Sequence, residues 1–523
     1  MKRNSQQYKD LQNDQILKKS IRKSQNQKIH PQKKQSKLTY YNYNENITII
    51  RNPKDFRQFR DVPIYIPSIE EFNSPFSLIS SLYKQGYQQH GIVKIIPPYQ
   101  WKPEYQFCQI DSKFKTRIQS LNKLSKGEVQ IYIFLYLYSF FNIQPFVSGD
   151  KEYMYNEFKE LANNFKQNYQ YQTQNGHNDL LRNNEFEYWS IVENPSHFQN
   201  VIVEYAADLP SQKYGSAFPK QPTQNDLVNY RHPFNLQNTN YEKDSLFQFL
   251  KIVQNCQISG ITNPWVYLGM LFASFCFHVE DIYMQSMNYL HMGSPKTWYA
   301  IPGRYKEEFE KIYQEKYKGV FMKNPNVLNN LNLQLCPLEG LLNDIPIYRA
   351  DQKEGEFIFT FPKVYHGGFS HGFNCGEAVN LASVEWISSF YEAKNDNAKK
   401  GFSKKLSFSI EWLIVQIIEN LNITSFSLDA LLQIYNIWEK IKNSEIENRM
   451  NLIKLYGQNI EILEFFNKNA KYDRYSCKTC SCYCYLSYIF CQKCLSYACS
   501  EHMTACSCLN NKITLFLRFN TNV

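Results

Sequence analysis

No apolar run in this chain is long enough to cross a bilayer, although 43% of its residues are hydrophobic. The longest, VQIYIFLYLYSFF at 129–141, is too short and too tyrosine-rich for a membrane span and reads as a buried helix or strand. No apolar stretch follows the basic start either, so no secretory signal is expected and the chain is expected to be intracellular, with no membrane partner. Acidic residues are scarce at the start: residues 1–40 carry eleven Lys and Arg against Asp10 and Asp14. Apolar residues are scarce there too, so residues 1–58 are expected to form a disordered basic tail. Such an arm suits non-specific DNA contact or a nuclear import receptor, and equally suits a plain solvated tail. No internal repeat is visible. Cysteine is missing between Cys108 and Cys256 and crowded at the end, where nine of fourteen fall within 477–508. In a reducing compartment, clustered cysteines bind metal more often than they form disulfides.

What is present is enough for several domains. A chain of 523 residues suggests about two to four of them. Residues 59–103 form a compact unit in which Ser68 and Glu71 have capping-box spacing before a helix at 75–84, a strand GIVKII and a Pro-Pro stop. Then come a helix-like FKTRIQSLNKL and a polar loop around 167–184. From about residue 198 the pattern turns to short strand-like runs separated by Gly and Pro, including VIVEYA, KTWYAI and GEFIFTF, which suggests a barrel or jelly roll. After 388 the pattern is helical, with separate helix-like runs at 408–421, 428–441 and 445–456.

Within the strand-rich part lies SFCFHVED, residues 274–281. A carboxylate among buried apolar residues is costly unless paired. Strand alternation points His278 and Glu280 the same way, and a nitrogen and a carboxylate converging from one strand are two potential metal ligands. The third is expected in FTFPKVYHGGFSHG, where His366 closes a strand and His371 competes with it. Two histidines and one carboxylate form the facial triad of non-haem Fe(II) sites, which leaves positions open for co-substrate and dioxygen. A zinc hydrolase can use similar ligands, and a lone His-x-Glu in a strand is more often just a satisfied polar pair. Lys296, one short strand further on, fits the distal carboxylate of a dicarboxylate co-substrate, with Tyr205, Ser286 and Asn288 as hydroxyl and amide contacts.

These residues resemble those of a JmjC histone lysine demethylase with a JmjN domain. The matching stretches are PIYIPSIEEF, GIVKIIPP and Trp101 for JmjN, with PWVYLGMLFASFCFHVEDIYMQSMNYLHMGSPKTWYAIPG and FTFPKVYHGGFSHGFN for JmjC. KTRIQSLNKL, VIVEYAADLPSQKYGSAFP and the cysteine-rich end are most similar to the branch that also carries an ARID and acts on lysine 4 of histone H3. The resemblance implies a mostly β catalytic core, a double-stranded β-helix of cupin or jelly-roll type, with JmjN, a C-terminal helical segment and a zinc finger, α+β overall. The expected boundaries are 1–58 tail, 59–105 JmjN, 106–195 spacer with a degenerate ARID-flanking segment, 196–390 JmjC, 391–476 helical and 477–515 zinc finger. It implies Fe(II) at His278, Glu280 and His366. It implies 2-oxoglutarate held by Tyr205, Ser286, Asn288 and Lys296 between Phe275 and Trp298. Tyr267 matches the tyrosine beside the methylammonium group, where an aromatic face attracts a cation. The implied reaction oxidises an N-methyl group on histone H3, with tri- or dimethylated lysine 4 as the expected substrate, and releases formaldehyde and succinate.

Some positions depart from the family pattern. Ser370 stands for an Asn, Ala206 for a Gly, Ser294 for a Glu and Met292 for an aromatic residue, while Ala378 and Val379 agree with the lysine-4 branch. The cysteine-free interval leaves no PHD finger between JmjN and JmjC. At the end, Cys477, Cys480, Cys491, Cys494, Cys499, His502, Cys506 and Cys508 supply eight ligands, enough for two tetrahedral zinc sites. The spacing matches the family's five-Cys, His, two-Cys zinc finger. We expect it to be interleaved, with Cys477, Cys480, Cys499 and His502 on one zinc and Cys491, Cys494, Cys506 and Cys508 on the other. Cys482 and Cys484 are then spare. The expected setting is the nucleus, with the histone H3 tail, the nucleosome and chromatin complex subunits as partners. The alternatives are a demethylase for lysine 9 or 36, or a weakly active JmjC chromatin scaffold.

Overall fold

The computed structural model describes residues 39–518 apart from 44–45, 53, 110, 126–146, 174–179, 196–200, 223–227, 253–257, 326, 331, 401–407, 423, 465–474, 503–507 and 509–511. It divides into two compact units, Met1–Arg51 and Asn52–Val523. The first contains an antiparallel hairpin, β1 (Thr39–Tyr43) and β2 (Asn46–Ile50). Its sequence, TYYNYNENITII, sets β-branched and aromatic residues around a polar turn, a combination that favours paired strands. The disordered tail expected over 1–58 is therefore corrected from Thr39 onward, and residues 1–38 lie outside the described residues. Within the second unit Phe56 is buried as well.

The second unit is built on two sheets. Its first part supplies β3 (Arg60–Asp61), β4 (Ile64–Tyr65), helix α1 (Pro75–Lys84) and β5 (Ile92–Ile95). Ser68 and Glu71 do exchange capping hydrogen bonds, at 2.9 and 3.2 Å, but around the short turn Glu71–Asn73. Helix α1 starts with Pro75 in its first turn instead, where the missing N–H costs nothing. Next come β6 (Phe114–Ser120), β7 (Val147–Tyr153), α2 (Tyr155–Thr173), α3 (Leu180–Glu193) and β8 (Ile202–Pro210). Here the sequence misled twice. FKTRIQS is a strand, because pairing with β7 and β8 overrides its local helical pattern. The stretch expected as a polar loop is largely helix, since Phe165 and Tyr169 on α2 and Tyr188, Trp189 and Val192 on α3 have a core to pack against. The run 129–141 lies outside the described residues.

The remaining strands are β9 (Trp265–Gly269), β10 (Ser274–His278), β11 (Gln285–Gly293), β12 (Lys296–Ile301), β13 (Tyr348–Gln352), β14 (Phe357–Thr360), β15 (Tyr365–Ser370) and β16 (Asn374–Leu381), with helix α4 (Lys306–Lys316) between β12 and β13. One sheet has the order β10-β15-β12-β13-β3 and the other β4-β5-β14-β11-β16-β9-β8-β6-β7. Side chains from both line one cavity, as in a double-stranded β-helix. The early segment completes both sheets: β3 runs parallel to β13, and β5 pairs with β14. Phe72, Phe76 and Trp101 share a core with Phe357 and Phe359, so this segment is part of the barrel rather than an appendage.

After the barrel come α5 (Ile387–Lys400), α6 (Ile410–Glu419) and α7 (Leu428–Tyr456). The two runs read separately at 428–441 and 445–456 form one continuous helix of 29 residues. Nothing in the intervening KNS breaks it: there is no Gly or Pro, and polar residues are tolerated on an exposed helix face. A small sheet closes the chain in the order β17 (Ile460–Glu464), β20 (Ile513–Leu517), β18 (Ser487–Cys491), β19 (Ser496–Ala498). Trp386, Phe390, Leu413, Ile414 and the thiols of Cys477, Cys480 and Cys484 pack in a single core. No described helix is long and apolar enough to cross a membrane.

Candidate functional site

The register between β10 and β15 builds the first cluster. Phe275 pairs with Gly368 and His278 with His366, so three steps on β10 face two on β15. This one-residue bulge shifts the alternation and sets His278 directly opposite His366, on the same face. Two glycines make room for it. A Cβ on Gly367 would lie 2.9 Å from the Phe277 nitrogen, and one on Gly368 only 1.9 Å from the Thr297 oxygen on the other side. Glu280 follows the strand end and turns back towards both rings. One donor atom each from His278, Glu280 and His366 lies within 4.8 Å of the others. His366 Nε2 is 3.3 Å from Glu280 Oε1, close to the roughly 3 Å that adjacent ligands on one ion keep when each bond is about 2.1 Å.

The tautomers suit a metal. His278 Nδ1 donates to the Cys276 carbonyl at 2.8 Å, and His366 Nδ1 lies 3.3 Å from the Val364 carbonyl. Each backbone carbonyl holds the proton on Nδ1 and leaves Nε2 as the donor that faces the cluster. Burial pushes the Glu280 carboxyl up, but its interactions with His366 and His278 outweigh it and bring it to about 2. An ionised carboxylate beside two imidazole nitrogens is a donor set that could hold a divalent cation. His371 is elsewhere: its Nε2 donates to Thr297 Oγ1 at 2.6 Å and its Nδ1 meets Asn184 at 3.4 Å. Burial lowers it to about 3, so it is a neutral link in a polar network behind β12 and no rival ligand.

The triad opens into a cavity of about 320 Å³. At its inner end Lys296 is 2% exposed, and no carboxylate pairs with it among the described residues. Its ammonium is 5.5–5.9 Å from the ring centres of Phe275, Tyr267 and Tyr205. These rings offset part of its desolvation, but burial still lowers it to about 8. A buried cation without an anion is the chemistry that receives a carboxylate. Around it, Ser286 Oγ is 2.6 Å from Thr360 Oγ1, and Asn288 Oδ1 accepts from Gln352 Nε2 at 3.1 Å. Gln352 in turn accepts from Trp298 Nε1 at 2.9 Å. That bridge fixes the Asn288 amide with its NH2 turned the other way. Phe275 and Trp298 stand against each other with centroids 4.6 Å apart. Tyr267 lies beside Tyr205, with centroids 6.0 Å apart. Burial first, then the nearby Asp208 carboxylate, holds the Tyr267 phenol well above its ordinary value, so it stays neutral.

The cysteines form two further clusters. Cys477, Cys480, Cys499 and His502 bring their donor atoms within 4.8 Å of one another, as do Cys491, Cys494 and Cys508. Cys480 and Cys499 have sulfurs 3.9 Å apart, and Cys499 Sγ is 3.0 Å from His502 Nδ1. The described cysteines are all free thiols, and four soft donors at these separations fit a tetrahedral zinc ion. Cys506 lies outside the described residues. Cys482 and Cys484 are buried beside the first cluster without joining it.

Residues 265–381 match the family model of the JmjC domain, hydroxylase. Residues 63–97 match the jmjN domain and residues 477–522 the C5HC2 zinc finger. The chain is 33% identical over 361 residues to a lysine-specific demethylase, JMJ703, of Oryza sativa subsp. japonica, covering 62% of this chain and 28% of that protein. It is 30% identical over 398 residues to a putative lysine-specific demethylase, JMJ16, of Arabidopsis thaliana, covering 66% of this chain and 32% of that protein. The chain thus spans about 28–32% of the length of these curated relatives.

The departures from the family pattern, Ser370, Ala206, Ser294 and Met292, are not among the residues that line the cavity. Ser370 Oγ meets Asn374 Oδ1 at 3.5 Å, Ala206 is buried beside a bulge between β8 and β9, and Ser294 meets Lys166 at 3.4 Å. Sequence reasoning missed three residues, two of them inside stretches already matched to the family and one outside. Arg117 on β6 pairs with Asp208 on β8, and both line the cavity next to Tyr267. Gln352 is placed by its pairing opposite Lys296 across β12 and β13. Neither carried a signal: Gln352 sits in ADQKEGE, which reads as a surface turn.

Proposed function

We propose that this protein is an Fe(II)- and 2-oxoglutarate-dependent histone lysine demethylase acting in the nucleus, with methylated lysine 4 of histone H3 as substrate. The observation that carries the chemistry is the pairing of a two-histidine, one-carboxylate triad with an unpartnered buried lysine across one cavity. His278, Glu280 and His366 would hold the iron, which when bound supplies the activation of dioxygen. Lys296 receives the distal carboxylate of 2-oxoglutarate, Asn288 and Tyr205 add polar contacts, and Phe275 and Trp298 wall the chain of the co-substrate and exclude water. Tyr267 presents an aromatic face to the methylammonium group. One oxygen atom of O2 ends in succinate as 2-oxoglutarate loses CO2. The other enters a C–H bond of the N-methyl group, and the resulting hemiaminal breaks its C–N bond to release formaldehyde and leave the lysine one methyl poorer. The attack is on carbon, so no nitrogen lone pair is needed and trimethyllysine qualifies. The lysine-4 branch is favoured by Ala378 and Val379, both of which line the cavity on β16.

The test is mass spectrometry of histone H3 peptides trimethylated singly at lysine 4, 9, 27 or 36, with iron, ascorbate and 2-oxoglutarate. Stepwise methyl loss from the lysine-4 peptide alone is the expected result. Loss from the lysine-9 or lysine-36 peptide instead would overturn the branch, and no loss from any would remove the histone substrate. His278→Ala is expected to abolish formaldehyde release while leaving the thermal midpoint in place; retained turnover would refute the iron assignment.

A further inference from the structure

The turn that follows Glu280 is bent into an unfavourable conformation. Ile282 has φ 48° and ψ 30°, and Tyr283 has φ 52°. They are the only adjacent pair of non-glycine residues with positive φ among the described residues. A β-branched residue and an aromatic one avoid this region, because Cβ crowds the backbone. Such a turn persists only where its surroundings over-determine it. Inside it, the Tyr283 and Met284 N–H groups donate to the Glu280 and Asp281 carbonyls, both at 3.0 Å. These two bonds close the turn but do not anchor it to anything.

The anchors come from other segments. Trp386 Nε1, fully buried, donates to the Ile282 carbonyl at 3.0 Å. The Tyr283 hydroxyl donates to Asp396 Oδ2 at 2.7 Å. Lys306 on α4, 2% exposed, lies 3.7 Å from the same oxygen and 3.0 Å from Glu310 Oε1. Glu310 accepts from the Tyr365 hydroxyl at 2.9 Å, and Tyr365 immediately precedes His366. A buried polar chain therefore runs from Tyr283 through Asp396, Lys306 and Glu310 to Tyr365. It ties the residue three after Glu280 to the residue just before His366. Trp386 and Asp396 both lie beyond residue 381, where the match to the JmjC model ends.

We propose that this latch positions two of the three metal ligands. Tyr283, Trp386, Asp396, Lys306, Glu310 and Tyr365 are positioning residues: they hold the strained turn, and with it Glu280, at ligand distance from His366 before a metal arrives. The inference rests on the metal-centre reading above. Without Asp396 the Tyr283 hydroxyl loses its acceptor, the turn relaxes towards ordinary φ, and Glu280 swings away from His366.

The test uses the whole 523-residue chain loaded with zinc and takes Mn(II) as an air-stable probe, its affinity read by the electron paramagnetic resonance of the free ion. Tyr283→Phe removes one oxygen atom and keeps the ring. It is expected to weaken Mn(II) binding by about tenfold and to change the d–d absorption of bound Co(II), with zinc content unaltered; Asp396→Asn is expected to do the same. Loss of packing alone would move the thermal midpoint but not the Co(II) spectrum of the protein that remains folded. If Tyr283→Phe keeps wild-type Mn(II) affinity and the wild-type Co(II) spectrum, the proposal is overturned. His278→Ala separates this failure from the other one. If it binds Mn(II) as wild type does, the metal-centre reading itself falls.

Discussion

At the residue scale, Lys296 carries the most information for a single side chain. Its pKa is lowered by burial from 10.5 to about 8. In the unfolded chain it holds its proton to higher pH than in the fold, so without co-substrate the protein gains stability as pH rises from about 8 towards 10.5. Co-substrate binding runs the other way, because a carboxylate needs the ammonium. Affinity for 2-oxoglutarate, measured by calorimetry on the Mn(II)-loaded protein, is expected to fall as pH rises past about 8. Binding at pH near 8 should also take up protons, visible as a heat that varies with buffer ionisation enthalpy. Lys296→Met should lose that binding and the proton uptake together. Much of the candidate site was legible in the sequence because metal ligands are drawn mainly from His, Cys and carboxylates, and Glu280 stands out among Phe275, Phe277 and Val279. Gln352, Arg117 and Asp208 were not legible, because their contribution depends on strand register and on a chain path that local patterns do not encode.

At the element scale, the crowding around β15 makes a sharp forecast about two glycines. Gly368→Ala would drive a Cβ into backbone on β12, at 1.9 Å from the Thr297 oxygen, which no side-chain rotation relieves. It is expected to cost about 3 kcal/mol or more, as overpacking does, and to disrupt His366 through the shared register. Gly319→Ala, in the short helix Lys318–Lys323, meets nothing within 4 Å. It is expected to leave stability unchanged or to raise it by about 0.4–1 kcal/mol. Thermal melts of the two variants check both signs at once. The strand-rich centre announced itself through short apolar runs punctuated by Gly and Pro, whereas FKTRIQS and the polar run over α2 misled. In both, the local pattern was outvoted by partners far away in sequence: β8 for the first, and Phe272, against which Tyr169 packs, for the second.

At the scale of the whole molecule, the cysteine clusters do not belong to a detachable finger. Cys477, Cys480 and Cys499 pack in one core with Trp386 and with Leu246, Phe247 and Leu250, which precede β9. Stripping zinc with a chelator is therefore expected to loosen the helices after the barrel, raising amide hydrogen exchange in α5 and α6 as well as in the cysteine segment. Because Trp386 also grips the Ile282 carbonyl, Mn(II) affinity at the triad should fall in the zinc-depleted protein, and a titration before and after chelation checks it. The same shared core sets an order of events during synthesis. Leu250 leaves the ribosome 249 residues ahead of Cys499, and at about 5–20 residues per second that is a wait of roughly 12–50 s. For that interval the nascent core can gather Trp386, Leu413 and Ile414 as they emerge but stays incomplete on the side that the cysteines close.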